Sequence, residues 1–453
     1  MKKWAIGVLS ACTVAALGTL ALSYYSGGKI QTAFEHTAET WSTEDGLTVQ
    51  LMEYDRGWLR SHAQTIWSFA REEDSYDIRV THDIVHGPWP MGQAARITSR
   101  FELPQDSDPQ LLQALQQRAM LEWVTTASWS GATRHTLSSP SFAVDFEDGS
   151  ALTWGGLQGQ WTLSASHDHA QGSVQMPALR ASVDDGSLLD MADAGVQFDA
   201  RLPLGHSFWE GPLTFQLGGL TLASPQDLRP FKLQQLRMES TTRLSDQRVA
   251  MGLQAQLALL ETPAYSARDL AAEIQLQRID AHWLDTWMRW AQTNGQDEAQ
   301  TMALLHSLPD LLASQPELRI PRLSLQTPDG PATLSARLAY AGQQPDNFNP
   351  ATDLEGHLSA QLPQSLVMQL LEARVRSDYL QLLEQLGHEM EEAQFQAAVN
   401  DGVGKRMKAL IRQGVVQRRG DMFGAELEFS QGGFKLNGQP QPLQMLMGIG
   451  GAL

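Results

Sequence analysis

Two short stretches of the sequence bring together side chains that could hold a metal ion or transfer protons. In the run HDIVHGPWP, His82 and His86 lie four residues apart beside Asp83. If the run is an extended strand, the two imidazoles share a face but lie about 13 Å apart at ~3.3 Å per residue, too far for one metal ion. Pro88 and Pro90 push the residues before them into extended conformations. The run therefore favours a strand that enters a stiff turn over a metal or acid/base site.

A second pair of histidines, His167 and His169, flanks Asp168. On one face of a strand these two imidazoles would lie ~7 Å apart. They supply only two ligands and lie close to Gly172, so the pattern favours a solvated loop over a metal site.

Motifs of known catalytic chemistry are missing from the sequence. We find no Gly-x-Ser-x-Gly elbow, no phosphate-binding loop, no dinucleotide-binding glycine pattern and no His-Glu-x-x-His zinc motif. The chain has 51 acidic residues, so carboxylate pairs arise by chance and none stands out. We therefore predict no catalytic, cofactor-binding or metal-binding residues and no cofactor, and we favour a protein that is not an enzyme.

The thirteen tryptophans could form platforms for sugar rings, but their positions favour burial. Most lie in alternating strand patterns or on amphipathic helices, where burial is the ordinary role of a large aromatic side chain. The clearest cases are Trp67, Trp154, Trp161, Trp283, Trp287 and Trp290.

One segment is unusually basic for a chain whose net charge is −18. Between Gly402 and Gly420 there are six lysines and arginines and no acid. On a helix, Lys405, Lys408 and Arg412 would lie largely opposite an apolar face. That face comprises Val403, Met407, Leu410, Ile411 and Val415. Such a helix could contact anionic lipid or an acidic protein surface. A core-packed helix with a solvated basic face explains the same pattern, and we favour it.

The first residues have the composition of a membrane anchor. Lys2 and Lys3 precede residues 4–25, which carry no charge. As a helix these 22 residues would be about 33 Å long, enough for a hydrocarbon core of ~30 Å. The two lysines favour a cytoplasmic N-terminus. We therefore predict a single-pass anchor in a bacterial inner membrane, with the C-terminal body in the periplasm.

Two other interpretations of this N-terminal segment remain open. Ala21, Leu22 and Ser23 loosely fit the cleavage site of a signal peptide, although the uncharged stretch is long for one. Cys12 follows a sequence that resembles a lipobox, but the apolar stretch before it is too short for an ordinary lipoprotein signal. The anchor is favoured over both.

Length, charge and cysteine content limit the remaining possibilities. At 453 residues the chain exceeds one ordinary core, so we expect more than one packed unit. The net charge of −18 repels phosphate backbones, which makes nucleic acid a poor candidate partner. A lone cysteine allows no intrachain disulfide and no thiolate cage for zinc or an iron–sulfur cluster. The oligomeric state does not follow from the sequence.

Strand signals dominate from residue 47 to residue 277. Two hairpins are predicted at the start, one turning at Gly57 and one at the Gly-Pro-Trp-Pro run, followed by a helix over residues 109–123. Short alternating segments separated by glycines then recur without helices between them. This spacing predicts an antiparallel, meander-like sheet.

The second half of the chain mixes helices with hairpins. The predicted segments are helices over 281–314, 365–400 and 402–417, hairpins over 318–341 and 426–437, and a polar linker over 343–356. The fold class is therefore α+β, mainly β: an N-terminal transmembrane helix, a large antiparallel meander-like sheet and helical segments in the C-terminal half. The predicted domains are residues 1–26 (cytoplasmic stub and anchor), 27–279 (β-rich) and 280–453 (mixed helix and hairpin).

Several motifs resemble one bacterial family. The runs are YDRGWLRS from Tyr54, VHGPWP from Val85, GDMF from Gly420 and FSQGGFKLNGQ from Phe429. In this order they resemble the YdgA-like family, which implies an inner-membrane-anchored periplasmic protein of unknown function. The resemblance implies structural turns and supplies no catalytic residue. The signature turn residues are Arg56, Gly57, His86, Gly87, Pro88, Asn437 and Gly438.

These observations favour a membrane-anchored, non-enzymatic envelope protein that binds lipid or an envelope partner along an extended β-sheet. A curved sheet with one apolar face uncovered would form a groove for an acyl chain, and in this general architecture alone the chain resembles AsmA-like envelope proteins. The alternative is a glycan- or lipid-modifying hydrolase with carboxylate catalysis, which would need two carboxylates in a compact cleft.

Overall fold

The computed structural model describes ten stretches of the chain. They are residues 47–56, 60–71, 74–86, 93–104, 107–116, 118–226, 229–263, 265–292, 297–386 and 390–442. These stretches contain 22 β-strands and seven α-helices, so the described part is mainly β, as predicted. The predicted anchor, residues 4–25, lies outside them. Within them, no helix is both long enough and apolar enough to cross a membrane.

The described residues divide into two compact units. Unit 1 comprises the residues up to Leu202 and Phe215–Asp227, and unit 2 comprises Pro203–Thr214 and the residues from Leu228 onwards. Strands give way to a mixture of helices and strands where β15 ends at Asp280. The predicted domain borders after residues 26 and 279 stay predictions.

The first twelve strands lie before Leu228, where the longer segment of unit 2 begins. They are β1 (Leu47–Arg56), β2 (Arg60–Arg71), β3 (Asp74–His86), β4 (Gln93–Glu102), β5 (Leu121–Ser128), β6 (Thr133–Ser139), β7 (Phe142–Asp145), β8 (Ala151–Trp154), β9 (Leu157–Leu163), β10 (His169–Ser182), β11 (Leu188–Arg201) and β12 (Gly211–Ala223). One helix, α1 (Pro109–Leu115), lies between β4 and β5.

Unit 2 combines ten further strands with six helices. The strands are β13 (Phe231–Ser245), β14 (Arg248–Glu261), β15 (Ser266–Asp280), β16 (Glu317–Thr327), β17 (Gly330–Tyr340), β18 (Leu354–Pro363), β19 (Gln417–Arg419), β20 (Met422–Ser430), β21 (Gly433–Leu436) and β22 (Gln439–Gln441). The helices are α2 (Ala281–Gln292), α3 (Glu298–His306), α4 (Leu308–Ala313), α5 (Pro350–Asp353), α6 (Gln364–Leu386) and α7 (Glu392–Arg412).

Every described pairing in unit 1 is antiparallel, which confirms the predicted sheet type. Strands β1 to β6 pair in chain order. Strand β9 then pairs with β6 and with β10, and β10 pairs with β11. The short β7–β8 hairpin joins β10 through β8. The two hairpins predicted at the start are therefore formed by β1–β2 and β3–β4.

Alternation along these strands builds the core of unit 1. In β5 and β6, every second residue over the first five is buried. Trp67, Trp154 and Trp161 retain only 3–5% of their exposure, so the burial predicted for them is confirmed. Trp67 packs edge-on against Phe101 with ring centroids 5.4 Å apart. The core of unit 1 is therefore rich in aromatic side chains.

The sheet of unit 2 follows the same rule. Strands β13 to β18 pair antiparallel in chain order, and β18 then pairs with β20. Strand β20 also pairs with β19 and β21, and β21 with β22. The tight turn between β16 and β17 requires Gly330, whose φ is +133°. Helices α6 and α7 pack on strand residues Phe423, Phe434 and Leu436.

Three boundaries predicted from the sequence are wrong. The helix predicted over 109–123 ends at Leu115, because the alternating residues from Leu121 onwards form β5. The helices predicted over 365–400 and 402–417 are instead α6 and α7. Gly402 lies inside α7, where a Cβ atom would come within 2.8 Å of Val375 on α6, so the glycine permits close helix packing. The predicted linker ends early, since β18 begins at Leu354.

Burial is also wrong for one tryptophan. Helix α2 turns Leu284 and Asp285 inward, while Trp287 retains 41% of its exposure. Trp283 and Trp290 on the same helix are partly exposed. A helix packed along one side leaves part of its apolar pattern in solvent.

Candidate functional site

The opening histidine of HDIVHGPWP lies in β3 and is structural in its contacts. His82 is buried, its Nε2 lies 2.9 Å from Thr65 Oγ1 and its Nδ1 lies 2.8 Å from Ser99 Oγ. Burial, followed by nearby His62, lowers the pKa of His82 to about 3, so the imidazole is neutral. Asp83 points to the other face, where it accepts a hydrogen bond from Arg100 at 2.6 Å. The two side chains therefore do not form one site.

The residues predicted as signature turns lie partly outside the described stretches. Arg56 ends β1 and is exposed, and the backbone of His86 pairs with Ala95 in β4. Gly57, Gly87 and Pro88 lie outside the described residues.

Asn437 and Gly438 form the turn between β21 and β22. Their φ angles are +51° and +76°. The Asn437 amide accepts a hydrogen bond from the Glu426 backbone N–H at 2.8 Å and donates to the carbonyl of Gly414 at 2.6 Å. The side chain thereby fastens the loop that follows α7 to the closing hairpin.

The loop at His167 contains a hydroxyl-rich turn. His167 has a φ of +59°, and the Asp168 carboxylate accepts hydrogen bonds from Ser164 and Ser166. His169 begins β10 and its Nε2 lies 2.7 Å from an Asp199 carboxylate oxygen. Asp168 and His169 thus take separate partners.

The basic helix predicted after Gly402 is the second half of α7. Val403, Met407 and Leu410 are buried against α6 and the strands. Ile411, predicted on the same face, retains 46% of its exposure. The apolar face of α7 therefore packs into the core of unit 2 without Ile411.

The three cations proposed from the sequence all lie on the exposed side of α7. Lys405 pairs with Asp401 at 2.6 Å, one helical turn earlier. Lys408 and Arg412 are exposed, and within the described residues neither has an ion-pair partner. Their contact with anionic lipid or a partner stays a prediction.

Three arginines surround Glu317 at the start of β16. Its side chain is 1% exposed and carries three cationic neighbours. One carboxylate oxygen accepts hydrogen bonds from Arg319 Nε at 2.6 Å and Arg337 Nε at 2.5 Å. The other accepts from Arg278 Nη2 at 3.0 Å. We call Glu317, Arg278, Arg319 and Arg337 the arginine cluster.

Register and backbone geometry assemble the arginine cluster. Arg319 and Arg337 are direct partners across β16 and β17, so both side chains lie on one sheet face with Glu317. Arg278 has a φ of +56° at the end of β15 and donates from Nε to the carbonyl of Gln315 at 2.7 Å. Hydrogen bonds from Arg319 and then Arg337 lower the pKa of Glu317 to about 2, against the opposing effect of burial. The carboxylate is therefore charged.

The opposite face of the same sheet is apolar. Leu276, Leu318 and Leu338 are register partners across β15, β16 and β17. Ile320 and Leu358 extend a second row through β17. With strands about 4.8 Å apart, each row crosses three strands and spans about 10 Å. We call Leu318, Ile320, Leu338 and Leu358 the apolar rows.

The helices of unit 2 cover the ends of this face and not its middle. Near β14 and β15, Met251 and Leu276 pack against the cluster that includes Leu284 of α2. Near β20, Leu427 and Phe429 pack against α6 and α7. Among the described residues, the apolar rows belong to neither cluster and remain partly exposed, with Leu338 at 38%. An uncovered apolar surface of this kind is typical of a ligand or partner site.

One group on the charged face could hold a divalent metal ion. A ring nitrogen of His357 and carboxylate oxygens of Glu426 and Glu428 lie within 4.8 Å of one another. The side chains of His357 and Glu428 are 43% and 46% exposed. Lys435 lies 3.4 Å from Glu428, so an ammonium already competes for that carboxylate. The sequence interpretation placed no metal ligand here.

Comparison with known proteins gives a family and no activity. No curated protein and no solved structure matches the chain. Residues 1–444 match the family described as a bacterial protein of unknown function, DUF945. Because the match covers nearly the whole chain, the protein belongs to this bacterial family of unknown function.

Proposed function

We propose that the protein is a membrane-anchored, non-enzymatic envelope protein that holds the acyl chain of a lipid along the apolar rows of unit 2. The partial exposure of Leu318, Ile320, Leu338 and Leu358 between two helix-covered ends carries this proposal. Removing apolar surface from water yields ~25 cal/mol per Å², so an acyl chain lying across several strands gains affinity without any polar contact.

The anchor and its location belong to the same proposal. The uncharged stretch of residues 4–25 after Lys2 and Lys3 supports a single inner-membrane span. The YdgA-like resemblance of the signature turns supports a periplasmic body. An anchored body has acyl chains within reach. A reporter that is active only in the periplasm, fused after Leu453, should be active, and the protein should stay membrane-bound after a carbonate wash.

The alternative, a hydrolase with carboxylate catalysis, draws less support from the described residues. A general acid needs a raised carboxyl pKa. The described carboxyl groups whose pKa is displaced are Asp83, Asp168, Asp285 and Glu317, and in each the pKa is lowered. These carboxyl pKa values are therefore shifted in the direction opposite to the one that a general acid needs.

Lipid that co-purifies with the protein tests the proposal. The full-length protein and a Leu338→Glu variant are extracted and washed alike, and the bound lipid is measured by mass spectrometry. Leu380→Glu is the matched control, because Leu380 is 54% exposed on α6, away from the apolar rows. We expect stoichiometric lipid on the wild type and the control, and a loss of most of it in Leu338→Glu. Equal lipid on all three proteins, or an envelope protein in place of lipid, would contradict the proposal.

A further inference from the structure

The charged face of the unit 2 sheet has more positive charge than its buried carboxylate requires. One guanidinium would neutralise Glu317, yet three surround it, so the arginine cluster has a net charge of +2 in a chain whose net charge is −18. Like charges placed directly opposite on neighbouring strands repel. Arg319 and Arg337 are such a pair, although one of them alone would neutralise the charge of Glu317.

Glu317 fixes the orientation of these two arginines. It accepts from the Nε atom of each, at 2.6 Å and 2.5 Å. The Nη groups of Arg319 and Arg337 have no hydrogen-bond partner among the described residues, and the two side chains are 43% and 46% exposed. Two guanidinium groups pinned side by side at Nε therefore offer their Nη hydrogens to the solvent.

The cross-strand neighbours of Arg319 and Arg337 do not neutralise their positive charge. In the register, Gln275 lies next to Arg319 and His357 lies next to Arg337. The nearest acid on β15, Glu273, is the register partner of Arg322 and accepts a hydrogen bond from Gln275. No acidic residue is the direct cross-strand neighbour of either arginine.

We propose that Arg319 and Arg337 bind a phosphate group. Glu317 holds both guanidinium groups in place, and Arg278 donates a hydrogen bond to the same carboxylate. The planar forks of arginine match the oxygens of a phosphate, and two forks suit a dianion. The site lies on the face opposite the apolar rows, so it goes beyond acyl-chain binding and does not depend on it. The phosphate belongs either to a lipid headgroup or to a small soluble phosphate ester.

Calorimetry on the full-length protein tests the site with inorganic phosphate as the probe. We expect saturable binding, at least about tenfold weaker in Arg337→Gln, because one charge-assisted fork is lost. Arg337→Lys keeps the charge and loses the fork, and it should also bind several-fold more weakly. Arg322→Gln is the matched control, since Arg322 lies exposed on the same strand with Ser324 as its partner. It should bind like the wild type.

Two results would overturn the site. One is the absence of saturable phosphate binding to the wild type, and the other is equal binding by Arg337→Gln, with circular dichroism showing that the variant is folded. Glycerol phosphate and a short-chain phosphatidate then distinguish the sources. Equal affinity for both indicates a soluble ester, and tighter binding of the phosphatidate indicates a lipid headgroup. Loss of lipid in Leu338→Glu with phosphate binding intact would separate this site from the apolar rows.

Discussion

The two units bury polar side chains in opposite ways. In unit 1, His82 lies among the hydroxyl groups of Thr65 and Ser99 and is neutral, because burial lowers the pKa of the imidazole to about 3. In unit 2, Glu317 is as deeply buried but charged, because Arg319 and Arg337 hold the pKa of its carboxyl group at about 2. Burial disfavours charge in both cases, and only the partners differ.

The difference extends to the way each unit meets solvent. The core of unit 1 buries Trp67, Trp123 and Trp161, and a second buried histidine, His135, stacks on Trp161 with ring centroids 5.0 Å apart. Unit 2 keeps one sheet face charged and leaves the other partly open. A core that buries neutral aromatic and imidazole rings suits a scaffold, whereas a sheet with a charged face and an uncovered apolar face suits binding.

Acidification gives the largest expected effect and separates the units. Burial lowers the pKa of His82 to about 3 and that of His135 to about 4 from 6.5, so the unfolded state binds more protons below pH 6.5. Above pH 6.5 the buried neutral histidines cost the folded state no stability. By pH 5, protonation of each histidine in the unfolded state has lowered the free energy of unfolding by about 2 kcal/mol. For Glu317 the corresponding loss begins only as the pH falls below 4.5.

Hydrogen exchange followed by mass spectrometry can compare the two losses in one sample. Between pH 7 and pH 5, protection should fall in β2–β4 of unit 1 while β15–β17 of unit 2 remain protected. Earlier loss in β15–β17 would contradict the assignment of neutral histidines to unit 1 and a paired carboxylate to unit 2.

Removing the charge of Glu317 should give the next largest effect. Glu317→Gln leaves three guanidinium groups without their anion, and because these are partly solvated we expect a loss of about 2–3 kcal/mol, less than for a fully buried pair. Urea unfolding measures it, with Glu355→Gln of β18 as the control on the same sheet face. High salt should restore part of the loss by screening the arginines. A Glu317→Gln variant as stable as the control would mean that the arginines do not need the carboxylate.

Asn437 should show a smaller effect that separates hydrogen bonding from backbone strain. Asn437→Ala loses the bonds to Glu426 and Gly414 and places alanine at a φ of +51°, so we expect a loss of about 1–2 kcal/mol. Asn437→Gly removes the bonds without the strain and should lose less. Thermal unfolding of both variants measures the difference, and equal losses would show that strain contributes nothing.

The basic side of α7 should give the smallest effect. If α7 contacts anionic lipid, Lys408→Gln and Arg412→Gln should each weaken binding of residues 27–453 to anionic vesicles by up to about fivefold at low salt, and less at high salt. Lys405→Gln should change it least, because Lys405 already pairs with Asp401. Unchanged binding in a Lys405/Lys408/Arg412→Gln variant would identify this side of α7 as a solvated surface.

The sequence predicts the strands better than the site they carry. Alternation reveals β1–β4, and turn residues such as Gly330 mark hairpins. Strand β18 is not predicted, because LEGHLSAQLP has only three large apolar residues among its ten. The arginine cluster escapes because its members come from three strands, and only the final register brings Arg337 beside Arg319. The run ELRIPRLSL does hold one usable signal, since Glu317 and Arg319 are two apart and share a face.

The uncovered apolar face cannot be predicted from the sequence, for a different reason. Leu318 and Leu338 alternate like any buried strand residue, and only the placement of α2, α6 and α7 shows that no described helix covers them. Pattern alone predicts which residues are apolar and not which of them remain exposed.

The central claim, that the apolar rows hold an acyl chain, is tested most directly by photo-cross-linking in intact membranes. A benzophenone amino acid replaces Leu338 on the apolar face or, as the control, Thr333 on the charged face of the same strand, where the side chain is also exposed. After illumination, mass spectrometry of the full-length protein should show a lipid adduct at position 338 and none at position 333. Equal adducts at both positions, or none at position 338, would contradict the claim.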